Sequence, residues 1–255
     1  MKKQGAPQIC RFCKKESPLS NSHIVSEFFY RDLYEQHRFT EVVVARGRKN
    51  LVRQKGSRER MLCSACESFL ANEYEDYGAR AFRRIKSQTR NANGPIVVAD
   101  LNYGRFKLCM LAQLWRMSQS MSSHWQHVVL PSDVQQDILM MLRSGDPREV
   151  SDYGIMVEAV FADDGEHFDA FMPPIPIKIW DFSFVLASFA GFSWYYALER
   201  IVTEPRLQSY FVTVDGSLKI GATSLRDAWH IQMFGDELEA IGKLPRLACD
   251  GDAKV

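Results

Sequence analysis

The 255-residue sequence lacks the long apolar runs that membrane-spanning segments need. No stretch approaches about 18 consecutive apolar residues, so we expect no transmembrane helix. The first ten residues, MKKQGAPQIC, hold two lysines without the apolar segment of a secretory signal, and we therefore expect a cytoplasmic protein. The patterns GxxxxGK[ST], GxGxxG, HExxH and GxSxG are also missing. Their absence disfavours P-loop, dinucleotide, zinc-protease and serine-hydrolase chemistry.

Apolar and charged residues are both present in ordinary amounts, with 46% hydrophobic residues and 32 Lys+Arg against 31 Asp+Glu. The two signs are unevenly distributed, because residues 1–90 hold 19 Lys+Arg and only 10 Asp+Glu. Turn-forming residues in the segment NANGPIVV mark the change of sign. We therefore predict a basic domain over residues 1–92 and an acidic domain over residues 93–255, with two separate roles.

The pattern of apolar residues predicts an α+β fold. In the basic part it favours a helix over 24–33, a strand over 41–45 and a helix over 65–86. In the acidic part it predicts a buried helix over 106–117 and a second helix that ends near Gly145. An antiparallel sheet should follow, and a last helix over about 225–241. The predicted strands are 155–161, 175–186, 192–198 and 210–214, with a hairpin turn at Asp215-Gly216.

Four of the six cysteines form two CxxC pairs, Cys10/Cys13 and Cys63/Cys66. A CxxC pair places two thiolates on one tight turn, and two pairs complete the tetrahedral sulfur shell that zinc prefers. A redox pair of the thioredoxin type is the alternative, but two pairs are more specific for metal than one. The order of a knuckle, a strand region and a helix with the last two ligands is typical of a treble-clef zinc finger. We predict one structural Zn²⁺ held by all four cysteines.

One histidine, His23, lies between the two pairs in the segment LSNSHIV. Together with CRFC (10–13) and LCSACE (62–67), this segment resembles the HNH, or His-Me finger, endonucleases. The resemblance covers about the first 80 residues. It implies a ββα-metal fold with a four-cysteine treble-clef zinc site. The α+β domain with buried helices that follows is predicted from the apolar pattern alone.

The resemblance also implies roles for individual residues. His23 would be the general base that takes a proton from the attacking water, beside a single catalytic Mg²⁺ or Mn²⁺. Glu67 stands where the family has a metal-binding residue after the last cysteine, and a carboxylate oxygen suits a hard cation. Asn50 resembles the middle asparagine that orients the histidine, with Asn72 as a second candidate. Ser22 replaces the acidic residue that precedes the histidine in many members.

A dense run of basic residues separates the two cysteine pairs and could contact a phosphate backbone. The alternative for such a run is a solvated loop. Its members are Arg46, Arg48, Lys49, Arg53, Lys55, Arg58 and Arg60.

Two functions follow from these residues. The first is a metal-dependent HNH-like endonuclease that hydrolyses DNA, with RNA as the second candidate substrate. The alternative is a degenerate, non-catalytic zinc module that binds nucleic acid or a protein. The family resemblance further suggests a phage-defence or mobile-element context. The aromatic strands of the acidic domain predict a surface for a protein partner or a second copy of the chain.

Overall fold

A computed structural model of the chain describes residues 8–31, 34, 40–42, 51–53, 56–89, 94–122, 125–169, 171, 172 and 174–233. Within that part, helices and a six-stranded sheet make a mixed α+β protein, as the apolar pattern predicted. No helix among the described residues is both long and apolar enough to cross a membrane.

Short strands arranged in antiparallel pairs make up the basic region before Cys63. The predicted helix over 24–33 is not an α-helix in residues 24–30, where a 3-10 turn at Glu27–Phe29 takes its place, and residue 31 is helical. The predicted strand over 41–45 is present where it is described. The strands are β1 (Gln8–Ile9), β2 (Glu16–Ser17), β3 (Leu19–His23), β4 (Thr40–Val42), β5 (Leu51–Arg53) and β6 (Arg58–Cys63), paired β1–β2, β3–β6 and β4–β5.

One long helical segment follows β6 directly. It comprises α1 (Ser64–Leu70), a π-helical turn (Ala71–Glu75) and α2 (Asp76–Thr89). The helix predicted over 65–86 is therefore confirmed, but the π turn was not foreseen. A π turn accommodates about one extra residue compared with an α turn, so it changes which side chains share a face of the helix. Such turns occur often at functional sites.

The acidic region combines two longer helices with one large sheet. The buried helix predicted over 106–117 is α3, and the helix predicted to end near Gly145 is α4, whose C-cap is Gly145 in the left-handed conformation. The elements are β7 (Ile96–Val98), α3 (Tyr103–Gln119), α4 (Ser132–Ser144), β8 (Ile155–Phe161), β9 (Ile175–Ile179), β10 (Phe182–Phe189), β11 (Phe192–Ala197), α5 (Pro205–Gln208), β12 (Leu218–Ser224) and α6 (Trp229–Gln232).

The sheet has the strand order β7-β12-β8-β11-β10-β9. Three details correct the sequence-based prediction. The run over 175–186 is a hairpin of β9 and β10, because the chain turns at Trp180 and Asp181. The segment 210–214 is not a strand, and the turn at Asp215-Gly216 leads into β12 from a loop. The β12–β8 pair is parallel, so the sheet is mixed rather than wholly antiparallel.

The largest buried cluster draws residues from both charge halves of the sequence, from Cys10 to Ile220. The helices α2 and α3 approach closely in it. A Cβ placed on Gly78 of α2 would lie 2.2 Å from Sγ of Cys109 on α3, so this contact has no room for a larger residue. The packing of α3 against the helical segment after Cys66 brings polar residues of α3 to the region described next.

Candidate metal centre and active site

The four predicted zinc ligands lie together at the N-terminal end of the fold. The ligand atoms of Cys10, Cys13, Cys63 and Cys66 are all within 4.8 Å of one another, and three of the four residues are buried. Zn–S bonds of about 2.3 Å in a tetrahedron require sulfurs about 4 Å apart. The cluster could therefore hold a metal ion such as zinc, in agreement with the two CxxC pairs.

Backbone hydrogen bonds shape this cluster. The amide of Lys14, which has a left-handed φ of 63°, donates to the Cys10 carbonyl at 2.9 Å and closes the knuckle. The amide of Cys63 donates to Sγ of Cys10 at 3.3 Å. Burial raises the pKa of the Cys10 thiol, but backbone N–H donors outweigh that effect and bring the pKa down to about 7. Burial and the neighbouring sulfurs raise the pKa of Cys66. Amide donors directed at a sulfur favour a thiolate, the form that binds metal.

The first turn of α1 is joined to β3 by a short hydrogen bond. The hydroxyl of Ser22, which is fully buried, donates to Oε2 of Glu67 at 2.6 Å. Glu67 itself is half-buried, and this desolvation raises the pKa of its carboxyl group, although the Ser22 hydrogen bond opposes the effect. Ser22 thus holds one carboxylate oxygen of Glu67, and the other oxygen could coordinate a hard cation such as Mg²⁺.

His23 is the last residue of β3 and pairs in register with Arg58 of β6. Its Nε2 atom is buried and has no hydrogen-bond partner among the described residues, although Oε2 of Glu27 lies 3.8 Å away. Burial lowers the pKa of His23, and the positive charge of Arg58 lowers it further, while Glu27 and Glu75 act in the opposite direction. The imidazole is therefore held in its neutral form, with a nitrogen that can accept a proton.

A buried polar network, which the sequence analysis did not identify, lies behind His23 and Glu67. Arg116 of α3 is 1% exposed and forms an ion pair with Glu75 of the π turn. The amide and hydroxyl of Ser26 both donate to Oε1 of Gln113, at 2.8 and 3.0 Å. Glu75 and Arg116 act electrostatically on both His23 and Glu67, so all four charged or titratable groups share one neighbourhood.

The π turn explains why Glu75 faces this neighbourhood. In a regular helix of 3.6 residues per turn, Glu67 and Glu75 would be offset by about 80°. One α turn and one wider π turn together span about eight residues, which returns Glu75 to the face of Glu67. Glu75 is therefore half-buried at the site, whereas its neighbours Glu73 and Asp76 are exposed.

Of the other predicted residues whose side chains are described, Arg58 lies at this site, where it pairs in register with His23. Arg58 is half-buried and lies 3.5 Å from Glu27, and Arg60 is exposed. Asn72 is exposed on the π turn. Asn50, Arg46, Arg48, Lys49 and Lys55 lie outside the described residues, and for Arg53 only the strand backbone is described.

The signal that could have revealed the buried network was the composition of α3. The segment FKLCMLAQLWRM carries a lysine, a glutamine and an arginine within a nearly continuous apolar run. Buried charges are rare unless they are paired. Lys107, Gln113 and Arg116 are all at most 1% exposed. Of these, Gln113 and Arg116 reach the site.

Comparisons with known proteins do not assign this arrangement to a family. No family model, no curated protein and no solved structure matches the chain.

Proposed function

We propose that the protein is a metal-dependent phosphodiesterase of the HNH type that cleaves DNA, with RNA as the second candidate substrate. The observation that carries the proposal is the placement of His23 and Glu67. His23 ends a strand that pairs with β6, Glu67 lies on the helix directly after β6, and Ser22 links the two elements. The four-cysteine cluster lies at the junction of β6 and α1 with the N-terminal knuckle. Two paired strands followed by a helix agree with the ββα arrangement that the sequence resemblance implied.

His23 serves as the general base in this proposal. A base must be neutral at the working pH and must have a nitrogen free to take a proton from water. Burial and the charge of Arg58 keep the imidazole neutral, and Nε2 has no hydrogen-bond partner among the described side chains.

Glu67 is the residue that would hold the catalytic Mg²⁺ or Mn²⁺. Mg²⁺ keeps several waters and is often bound by one or two carboxylates together with substrate phosphates, so a single protein carboxylate is an acceptable donor set. The hydrogen bond from Ser22 fixes one carboxylate oxygen and orients the other. The ion would neutralise charge that develops on the phosphate oxygens. Glu75 is paired with Arg116 and is assigned a supporting role, because the ion pair holds the π turn in place.

The four cysteines would hold a structural Zn²⁺ that fixes the N-terminus of α1, and with it Glu67, relative to β3. Substrate phosphates would be held by the basic residues between the cysteine pairs, of which Arg60 is exposed on β6. The acidic region would provide the partner surface, in a phage-defence or mobile-element setting.

The second candidate is a zinc module that binds nucleic acid or a protein without cutting. Ser22 favours it, because its hydroxyl occupies a carboxylate oxygen of Glu67 where an acidic residue would have added a second metal ligand. One experiment on the full chain distinguishes the two functions. A labelled DNA duplex is incubated with zinc-loaded protein, with and without Mg²⁺, and binding is titrated against salt in parallel. Mg²⁺-dependent cleavage supports the nuclease, whereas salt-dependent binding without cleavage supports the module.

A further inference from the structure

A cavity lies on the sheet of the acidic region, lined by residues that the nuclease proposal does not use. Its volume is about 430 Å³, within the range of small-molecule sites. Strands β8, β11 and β12 form its floor, and the turn after β9 and the segment around α5 form its walls. Its lining includes Glu158, Trp180, Tyr195, Arg206, Tyr210 and Gly221.

The polar centre of the cavity is Glu158. The hydroxyl of Tyr195 donates to its Oε2 at 2.9 Å. Its other oxygen, Oε1, lies beside Gly221, since a Cβ built on that glycine would be 3.7 Å away from it. Gly221 pairs with Glu158 across the parallel β12–β8 ladder, and the missing side chain keeps the cavity open over the carboxylate. Oε1 can therefore accept a hydrogen bond from an N–H group in the cavity.

The walls carry flat aromatic surfaces. Trp180 is 58% exposed, and its backbone has a φ of 52°. The left-handed φ is the geometry that the two-residue turn between β9 and β10 requires. The turn that imposes this conformation presents the indole to the cavity. An exposed indole next to a carboxylate acceptor is suited to a planar, nitrogen-containing ring.

Two cationic side chains lie at the cavity or beside one of its lining residues. Arg206 lines it and is exposed, and Nζ of Lys219 lies 4.3 Å from the ring of Tyr210, another lining residue. These two cations would repel a ligand that is itself a cation. They would attract a ligand with a negatively charged group at the end opposite its N–H donor.

We infer that this cavity is a binding site for a nucleoside monophosphate. The base stacks on Trp180 and donates an N–H to Oε1 of Glu158, and the phosphate lies near Arg206 and Lys219. The site is separate from the His23 site and does not depend on the proposed function.

The test is isothermal titration calorimetry of the full chain with AMP, GMP, CMP and UMP, in the absence of divalent metal. Saturable binding of at least one of them is expected. Trp180→Ala and Glu158→Gln should each weaken that binding about fivefold or more, because the first removes the stacking surface and the second replaces a charged acceptor with a weaker neutral one. Arg206→Ala should weaken binding of the nucleotide but not of the corresponding nucleoside.

Two controls keep the result interpretable. Trp229→Ala removes another exposed tryptophan that does not line the cavity, and it should leave binding unchanged. Gly221→Leu fills the cavity from its floor and should abolish binding, with thermal unfolding used to confirm that the variant is folded. The proposal is overturned if none of the four nucleotides binds, or if binding survives Trp180→Ala and Glu158→Gln unchanged. Because binding alone is measured, failure here would leave the nuclease proposal intact.

Discussion

The hydroxyl of Ser22 donates a 2.6 Å hydrogen bond to Oε2 of Glu67, and this contact joins the end of β3 to the helix that follows β6. The two residues are 45 positions apart in the sequence. The contact places a half-buried carboxylate beside the strand that ends at His23. It is thus the link between the helix that carries Cys66 and the proposed base.

Removal of a zinc ligand should unfold the N-terminal region. Cys66→Ser should abolish zinc binding and lower the free energy of unfolding by several kcal/mol, because binding energy of a structural zinc is folding energy. That corresponds to a drop in Tm of about 10 °C or more. Zinc content by atomic absorption and Tm by differential scanning fluorimetry check this. Cys109→Ser is the matched control, since Cys109 lies outside the cluster and the variant should retain one zinc per chain.

Glu67→Gln should weaken Mg²⁺ binding without unfolding the protein. The amide oxygen can still accept the Ser22 hydrogen bond, so the change in Tm should be small. Loss of the negative charge removes the Mg²⁺ ligand, and the cleavage rate should fall about a hundredfold or more, as is usual when a key electrostatic contact is lost. Cleavage rates measured over a range of Mg²⁺ concentrations test this. Unchanged rates at every concentration would exclude Glu67 as the ligand.

The pH dependence of cleavage should report the charges around His23. The base must be neutral, so activity falls at low pH as His23 becomes protonated, and its lowered pKa places this fall below the usual pH for histidine. Arg58→Gln removes a charge that lowers the pKa and should move the acidic limb to higher pH. Glu27→Gln removes a charge that raises the pKa and should move the limb to lower pH. Shifts in the same direction for both variants would contradict the assignment of His23.

The ion pair between Glu75 of the π turn and Arg116 of α3 should contribute to the free energy of unfolding. Glu75→Gln leaves the Arg116 charge buried without its partner, which should cost about 3 kcal/mol. Adding Arg116→Met removes the buried charge, and the double variant should recover most of the lost stability. A double-mutant cycle by denaturant unfolding measures this coupling. Additive losses would show that the two residues act independently.

Local patterns in the sequence predicted much of the fold. The two CxxC pairs, the helix after β6, the buried helix α3 and the stop of α4 at Gly145 all depend on residues close together in the chain. The failures involve contacts between distant segments. From the sequence alone, Glu75 would be expected to face solvent, because nothing near it in the chain indicates that it pairs with Arg116 on another helix. The parallel β12–β8 pair likewise depends on a crossover that no local pattern specifies.

The segment 210–214 shows how tertiary context overrides strand propensity. The sequence YFVTV has the aromatic and β-branched residues typical of strands. In the structure, Phe211 packs into a small buried cluster with Leu207, and the hydroxyl of Thr213 donates to the carbonyl of Ser217 at 3.0 Å. These contacts hold the segment as a turn.

Cleavage of supercoiled plasmid by wild-type protein and by His23→Ala, with Mg²⁺ or Mn²⁺, tests the central claim most directly. Zinc content and Tm are measured for both proteins, so that a folding defect is not taken for a catalytic one. We expect metal-dependent nicking by the wild type and its loss in a folded, zinc-loaded His23→Ala variant. Equal cleavage by the two proteins would contradict the assignment of His23, and no cleavage by either would contradict the nuclease.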